Sequence, residues 1–197
     1  MNNTFIFLRH GKTKVDKDAP ISKWVLSDVG ESQALKVAEN EEFKNVDIII
    51  TSAEEKAFRT GKPLADFLNK KILQFEELSE MNRDEGGFMD ADKYEETAQE
   101  ALSNLDVSVS KWEAAGKALE RFSKKIEEID RQYEGKKILI IGHGYTINMY
   151  FAKLLGESKR VYERLGTNDF CDWGIAKDGK VLKDLGPDLG RVSEKLV

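Results

Sequence analysis

Two segments of the sequence place a histidine directly after a short apolar run. Residues 5–8 (FIFL) are followed by Arg9 and His10, and residues 138–141 (ILII) precede a glycine and His143. Such runs are typical of strands buried on both faces. The carboxyl ends of parallel strands meet at one edge of a sheet, where ligands bind in open α/β folds. Because the chain contains only 2 histidines, we expect both to serve one site at that edge.

The residues around these histidines favour phosphoryl chemistry over metal binding. A metal site requires further cysteine, histidine or carboxylate ligands, whereas the charged residues nearby are cations, among them Arg9, Lys56 and Arg59. Arginine holds phosphate oxygens through paired hydrogen bonds. A neutral imidazole is a nucleophile near pH 7, and a carboxylic acid could protonate the leaving oxygen. The pattern therefore predicts a phosphoryl site that holds no metal.

The bulk composition indicates an ordinary soluble chain and limits its partners. The 197 residues carry a net charge of −5, which disfavours nucleic acid as a partner. The length predicts a single domain over residues 1–197. The sequence has no signal pattern and no apolar run of about 18 residues, so we expect a cytoplasmic protein without membrane association. We interpret the single cysteine, Cys171, as a packed side chain rather than a reactive one.

Apolar runs and helical spacing alternate along the first half of the chain. Buried strands are predicted at residues 46–50 and 72–75, in addition to the two that precede the histidines. Ser27 is predicted to cap a helix whose apolar face reaches Phe43. The following helix contains Pro63, which should kink it or delay its start. This alternation predicts an α/β three-layer sandwich, with a mostly parallel central sheet and helices on both faces.

The second half is predicted to contain an acidic insertion, a long helix and a hairpin. Residues 76–109 are interpreted as a small helical insertion over the active site, with a helix at residues 93–102. Residues 110–113 (SKWE) have the pattern of a capping box, which would start an amphipathic helix that reaches Tyr133. The dipeptide at residues 178–179 (DG) predicts a C-terminal β-hairpin.

Five segments resemble, in order, the motifs of a known family. Residues 9–13 (RHGKT) resemble the RHG signature of the histidine phosphatase superfamily, the phosphoglycerate mutase-like proteins. Residues 26–34 are similar to its L-[ST]-x-x-G-x-x-Q-A block, and residues 52–60 to its S-x-x-x-R-A-x-x-T block. Residues 78–80 (LSE) resemble its L-x-E segment, and residues 142–144 (GHG) its second histidine motif. The three letters of RHG alone are a weak match, whereas five ordered blocks are a specific one.

The resemblance implies roles for individual residues. His10 would be the nucleophile that forms a phosphohistidine, and Glu80 would act as the general acid and then as the general base. Arg9, His143 and a cation of the second helix would hold the phosphoryl group. The resemblance implies no metal and no organic cofactor.

Two positions depart from the family pattern. The arginine of the family's second helix falls on Lys56, which keeps the positive charge but loses the bidentate geometry. Arg59 lies three residues later on roughly the same helix face and could replace it. An asparagine that is common six residues after the nucleophile is Asp16 here, and its carboxylate would repel a phosphate. Both departures bear on catalytic strength and on the choice of substrate.

Several assignments have a purely structural alternative. Glu80 lies in an acidic stretch that could simply be a solvated loop, and Asp84 or Glu85 could supply the acid instead. Thr13 could donate to phosphate or cap a turn. Ser52 could contact phosphate through its hydroxyl, or it could only end a strand.

Three functions follow from these patterns. The first is a metal-independent phosphatase that hydrolyses a phosphate monoester through His10. The second is a phosphoglycerate-type mutase. The family's mutases carry an arginine pair in the insertion, whereas Arg83 is the single arginine between residues 80 and 110 here, which disfavours this alternative. The third is a binding module for phosphate ligands with a weakened site. The substrate would be a small phosphorylated molecule or a phosphoprotein, and the chain would act as a monomer or a homodimer.

Overall fold

The computed structural model describes residues 2–186 of the chain. This part of the chain folds as a mixed six-stranded sheet covered by helices. The strands are β1 (Thr4–Arg9), β2 (Ile48–Ser52), β3 (Ile72–Phe75), β4 (Lys137–Gly142), β5 (Trp173–Lys177) and β6 (Lys180–Gly186). The helices are α1 (Asp28–Glu39), α2 (Glu55–Phe67), α3 (Ala91–Ser103), α4 (Ala115–Gln132), α5 (Gly144–Leu155) and α6 (Val161–Thr167).

The order of strands in the sheet is β3-β2-β4-β1-β5-β6. The first four run parallel to one another, whereas β5 is antiparallel to β1 and β6 is antiparallel to β5. Asp178 and Gly179 connect β5 to β6 with φ angles of 49° and 72°, which is the left-handed turn that favours these residue types. The predicted fold class and the terminal hairpin are therefore confirmed.

Both faces of the sheet are buried, as the apolar runs predicted. Side chains of β1 alternate: Ile6 and Leu8 join the cluster formed with α1 and α2, whereas Phe5 and Phe7 join the cluster formed with α4 and α5. A third cluster lies around Trp112 and combines side chains of α3, α5 and α6. Because β1 and β4 are adjacent and parallel, with Arg9 opposite Gly142, their carboxyl ends and the histidines that follow lie side by side.

The predicted capping box at residues 110–113 is wrong. Ser110 and Lys111 have φ angles of 49° and 63°, so the chain turns there, and α4 begins only at Ala115. Trp112 is 1% exposed and packs in the third cluster. Glu113 turns away from the helix start to accept hydrogen bonds from a later arginine of α4. Long-range contacts of these two side chains thus override the local helix-start signal.

Other boundaries differ by smaller amounts. The helix that Ser27 caps ends at Glu39, and Phe43 lies in a separate 3-10 turn, where it is still fully buried. The following helix starts at Glu55 and continues through Pro63, so the delayed start is wrong. The short helix α6 was not predicted, because seven residues give too little periodicity to be recognised.

The predicted insertion contains two 3-10 turns, Glu76–Leu78 and Asp84–Gly86, before α3. Its helix extends from Ala91 to Ser103, slightly beyond the predicted residues 93–102.

The burial of Cys171, which is 2% exposed, raises the pKa of its thiol to about 12. In the described part of the chain, none of the helices combines the length and apolar character that crossing a membrane requires.

Candidate active site

His10 is buried directly after β1 and is held in a defined protonation state. Its backbone N–H donates to the carbonyl of Gly142 at 3.0 Å, and its ring Nδ1 lies 2.7 Å from the carbonyl oxygen of Gly11. A carbonyl oxygen can only accept, so Nδ1 carries the proton and Nε2 keeps its lone pair. Burial, followed by the nearby His143, Lys56 and Arg9, lowers the pKa of His10 well below 6.5. The imidazole is therefore neutral at pH 7.

His143 lies beside His10, with 5.1 Å between the ring centroids. It follows β4, occupies the N-cap position of α5 and is completely buried. Its Nε2 lies 2.7 Å from the Ser52 hydroxyl, at the end of β2. Burial is the main cause that lowers its pKa to about 3, so His143 is also neutral at pH 7. The structure thus brings together the two histidines at the edge where the sequence placed them.

Motif residues outside the charged set hold the turn that follows His10. The Gly11 N–H donates to the Thr60 hydroxyl of α2 at 3.0 Å, and the Lys12 N–H donates to the Gln33 side chain of α1 at 2.8 Å. Gly30 lies so close that an added Cβ would be 2.1 Å from the Lys12 carbonyl oxygen. Both helices are therefore docked directly against the backbone of the turn.

Arg9 is buried on the opposite side of β1 from its neighbour Leu8. Its guanidinium lies over the Phe170 ring, 4.4 Å from the centroid, and donates to the Asn168 carbonyl at 3.1 Å. Its Nε has no hydrogen-bond partner among the described residues. Asn168 and Phe170 follow α6, which the sequence did not reveal, so these contacts could not be predicted.

Glu80 lies at the amino-terminal end of α5, and its carboxylate is held by backbone donors. One oxygen accepts the N–H of Tyr145 at 3.0 Å, and the other accepts those of Thr146 and Met81 at 3.1 and 3.0 Å. Helix amino termini favour bound anions because their N–H groups are unpaired. These contacts fix the orientation of the only carboxylate in the predicted L-x-E segment.

Arg121 of α4 supports the segment that carries Glu80. Its guanidinium donates to the carbonyls of Glu77, Ser79 and Glu80 at 2.7–2.9 Å and pairs with Glu113. Sequence analysis missed this residue because it is one of several charged side chains on a long amphipathic helix. The segment is therefore braced from behind by α4 and in front by α5.

Lys56 is 3% exposed and forms a buried ion pair with Glu54, at 2.5 Å between Nζ and Oε2. Its Nζ also donates to the Ile21 carbonyl at 2.9 Å. The other Glu54 oxygen accepts the Glu80 N–H at 2.7 Å and lies 3.4 Å from Nε2 of His143. Glu54 thus connects three predicted site residues, although sequence analysis did not identify it. Its neighbour Glu55 is exposed, and the two are indistinguishable in sequence.

The remaining predicted residues lie further out or have other partners. Arg59 is 45% exposed, and its guanidinium pairs with Glu31 of α1 at 2.7 Å. Thr13 forms an isolated antiparallel bridge with Leu26. Contact of either residue with phosphate stays a prediction. Asp16 is exposed, and its carboxylate accepts the N–H two residues later, so it is held by its own turn.

The two alternative acids have different surroundings from Glu80. The Asp84 carboxylate accepts both the N–H and the hydroxyl of Ser22, at 3.0 and 2.6 Å. It therefore ties the insertion to the loop that follows His10. Glu85 is exposed. Neither of these carboxylates is buried among the described residues as Glu80 is.

The insertion places a buried cation next to the site. Arg83 is 8% exposed, and its guanidinium lies 4.7 Å from the Tyr145 ring centroid, with Trp112 and Tyr94 around it. It donates to the Tyr94 hydroxyl.

Within residues 2–186, no group of three or more His, Cys, Asp and Glu side chains is arranged to hold a metal ion.

Comparison with known proteins gives one family and several relatives. Residues 5–177 match the model of the histidine phosphatase superfamily, branch 1. The chain is 25% identical over 174 residues to "Phosphoglycerate mutase-like protein 4" of Arabidopsis thaliana, which covers 83% of this chain and 76% of the relative. It is 27% identical over 131 residues to "Uncharacterized phosphatase PhoE" of Bacillus subtilis, which covers 66% of this chain and 65% of the relative.

A solved structure shares the fold at low sequence identity. A mycobacterial glucosyl-3-phosphoglycerate phosphatase in its native form superposes with a TM-score of 0.78 at 17% identity. The alignment covers 94% of this chain and 99% of the other. The similarity therefore extends over the sheet, its helices and the insertion.

Proposed function

Because the chain belongs to the histidine phosphatase superfamily, branch 1, we propose that it is a phosphatase that hydrolyses a phosphate monoester through a phosphohistidine on His10. The observation that carries the proposal is the state of the His10 ring. It is neutral, and the Gly11 carbonyl fixes its proton on Nδ1, so the lone pair on Nε2 can attack phosphorus. The reaction requires no metal, because charged side chains surround the nucleophile.

In the first step, Nε2 of His10 attacks the phosphorus atom. A nitrogen–phosphorus bond forms, the bond to the ester oxygen breaks, and Glu80, which enters this step as the protonated carboxylic acid, gives its proton to the leaving oxygen. Arg9, Lys56 and His143 stabilise the charge that spreads over the equatorial phosphoryl oxygens. The buried Arg9 Nε and His143 Nδ1, which have no partner among the described residues, are available for such contacts.

In the second step, a water molecule attacks the phosphohistidine. Glu80, now ionised, takes a proton from this water, while the nitrogen–phosphorus bond breaks and inorganic phosphate forms. The imidazole returns to its neutral form with its lone pair restored. The backbone donors on Glu80 hold one carboxylate in place for both proton transfers.

The substrate class is a small phosphorylated molecule, with a phosphorylated protein side chain as the alternative. A structural neighbour is named for activity on a phosphorylated glucosyl-glycerate, and one relative is named a phosphatase. We place the reaction in the cytoplasm, in one domain over residues 1–197 that acts as a monomer or a homodimer. Residues 76–109 lie over the site and shape its specificity.

The test is rapid-quench labelling with a reactive phosphoryl donor, such as acetyl phosphate, at pH 6 to 7. The parent protein should acquire a label that is labile in acid and stable in base, which is the behaviour of a phosphohistidine. The His10→Ala variant should acquire none and should lose hydrolysis of generic phosphate esters.

The chain has one further histidine, which provides the matched control. The His143→Ala variant should still be labelled on its remaining histidine, although more slowly, because it loses a group that stabilises the transition state. A label that survives in His10→Ala, or full activity of that variant, would exclude the proposed intermediate.

Lys56, a lysine where the family pattern has an arginine, motivates one second candidate, a phosphate-binding module with little turnover. It predicts that phosphate binds in a titration while no label appears on any histidine. A mutase would instead convert one phosphoglycerate isomer to the other, which a coupled assay detects. The same protein preparation can be used for all three measurements.

A further inference from the structure

Glu54 places a carboxylate among the groups that would bind the phosphoryl group. One oxygen lies 2.5 Å from the Lys56 ammonium, and the other lies 3.4 Å from Nε2 of His143. The side chains of Glu54 and Lys56 are only 8% and 3% exposed. A carboxylate therefore already contacts Lys56 and lies beside the ring of His143, two of the proposed phosphate ligands.

This pair competes with a phosphoryl group for the same cation. The charge of Lys56 also reaches both histidines, since it is among the causes that lower the pKa of each. At a low effective dielectric constant, an anion gains little from a cation that already has a carboxylate at contact distance. A second anion brought next to Glu54 is also repelled by it.

We propose that Glu54 is a specificity-determining residue that occupies Lys56 in the resting site, and that a phosphoryl group must displace this carboxylate from the ammonium in order to bind. The inference rests on the proposed function in that Lys56 is a phosphate ligand. It goes further by assigning a role to a residue at a variable position of the S-x-x-x-R-A-x-x-T block. The displacement weakens the binding of free inorganic phosphate. Phosphate esters still bind, because their other groups contribute additional binding energy.

Only the contact between Glu54 and Lys56 needs to break when phosphate binds. The oxygen that accepts the Glu80 N–H at 2.7 Å can stay in place, and the Lys56 contact with the Ile21 carbonyl is independent of the carboxylate. The exchange therefore occurs between two anions at one ammonium group. Glu80 keeps its backbone support throughout.

The test is the dissociation constant of inorganic phosphate at pH 7, measured by isothermal titration calorimetry. Glu54→Gln removes the charge but keeps an oxygen for the Glu80 N–H, and we expect it to bind phosphate about tenfold more tightly or better. Glu54→Ala removes the charge by truncation and should also bind more tightly, so the test does not depend on the folding of one variant. Glu54→Asp keeps the charge and should stay within about threefold of the parent.

Glu55 supplies the matched control, because Glu55→Gln makes the same change in charge at the adjacent exposed residue. Its phosphate affinity should equal that of the parent. Unchanged or weaker binding in both charge-removing Glu54 variants would show that Glu54 only supports the structure, and would overturn the inference. Equal tightening in Glu55→Gln, or no phosphate binding in any variant, would overturn it as well.

Labelling of His10 is measured separately and distinguishes the two proposals. If the parent protein is labelled but its Glu54 variants bind phosphate no more tightly, the phosphatase proposal is supported and the proposed role of Glu54 is rejected. If the Glu54 variants bind phosphate more tightly but the parent protein acquires no label, the proposed competition at Lys56 is supported and phosphoryl transfer to His10 is rejected.

Discussion

At the scale of single residues, the proton on His10 determines what the site can do. A backbone carbonyl, rather than a carboxylate, holds this proton on Nδ1. The ring therefore gains no negative partner that would raise its proton affinity, and the surrounding cations and burial lower its pKa. The nucleophile is consequently available without a deprotonation step at neutral pH.

Glu80 has the role of the proposed acid, and its replacement by Gln tests that role. We expect Glu80→Gln to lower kcat on an alkyl phosphate by about 100-fold or more, since general acid catalysis contributes about that much. The loss on p-nitrophenyl phosphate should be much smaller, because its leaving oxygen needs no proton. The ratio of the two kcat values is the measurement.

Glu76→Gln is the control for this prediction, because Glu76 is exposed four residues earlier on the same segment. Its kcat values should match those of the parent on both esters. An equal loss on both esters in Glu80→Gln would indicate distortion of the site rather than loss of an acid.

The sequence located the chemically active residues better than the residues that support them. His10 and His143 could be placed together because each follows a buried strand, which is a local signal. Glu54 and Arg121 could not be distinguished from exposed charges near them, such as Glu55, because their burial depends on contacts made by distant segments. Supporting residues of this kind become visible only in the folded chain.

At the scale of elements, Ser27 both starts α1 and helps to dock it against the turn after His10. The Ser27 hydroxyl accepts the Gly30 N–H at 3.2 Å and also donates to the Lys12 carbonyl at 3.1 Å. It therefore caps the helix and ties its first turn to the active-site loop. The capping signal at Ser27 was local and correct, whereas that at Ser110 was overridden by tertiary contacts.

A matched pair of substitutions tests this difference between the two serines. Ser27→Ala should lower the free energy of unfolding by about 1 kcal/mol, because an N-cap hydrogen bond is lost. Ser110→Ala should change it by less than about 0.5 kcal/mol, because Ser110 lies before the start of α4 and caps nothing there. Urea denaturation of the parent and both variants gives the two values, and a larger loss for Ser110→Ala would contradict the helix start at Ala115.

At the scale of the whole molecule, the topology concentrates the polar groups of the site in the buried interior. The carboxyl ends of β1, β2 and β4 lie side by side at one edge of the sheet, with helices against both of its faces. Alternating strands and helices predicted this architecture, but not the order of the strands, since each pairing joins segments far apart in sequence. The consequence of that order is that both histidines are buried in the neutral form.

Buried neutral histidines make the stability of the fold depend on pH. Each lowered pKa, to about 3 for His143 and well below 6.5 for His10, means that the unfolded chain binds a proton that the folded chain does not. The histidine contribution to stability is therefore present above pH 6.5 and is lost as the pH falls from there towards the folded-state values.

We expect His143 to lower the free energy of unfolding by roughly 2 kcal/mol between pH 7 and pH 5, and His10 to change it in the same direction. Urea denaturation at several pH values measures the slope of the free energy of unfolding against pH. A substitution that only destabilises the fold lowers this free energy at every pH, whereas loss of a buried histidine changes the slope. His10→Gln and His143→Gln control for each other, because each should remove the part of the pH dependence that its own histidine contributes. A slope that is the same in the parent and in both variants would mean that the histidines are not kept neutral by the fold. A free energy of unfolding that increases as the pH falls would mean that at least one histidine is protonated in the folded protein. A protonated His10 would lack the lone pair on which the proposed attack on phosphorus depends.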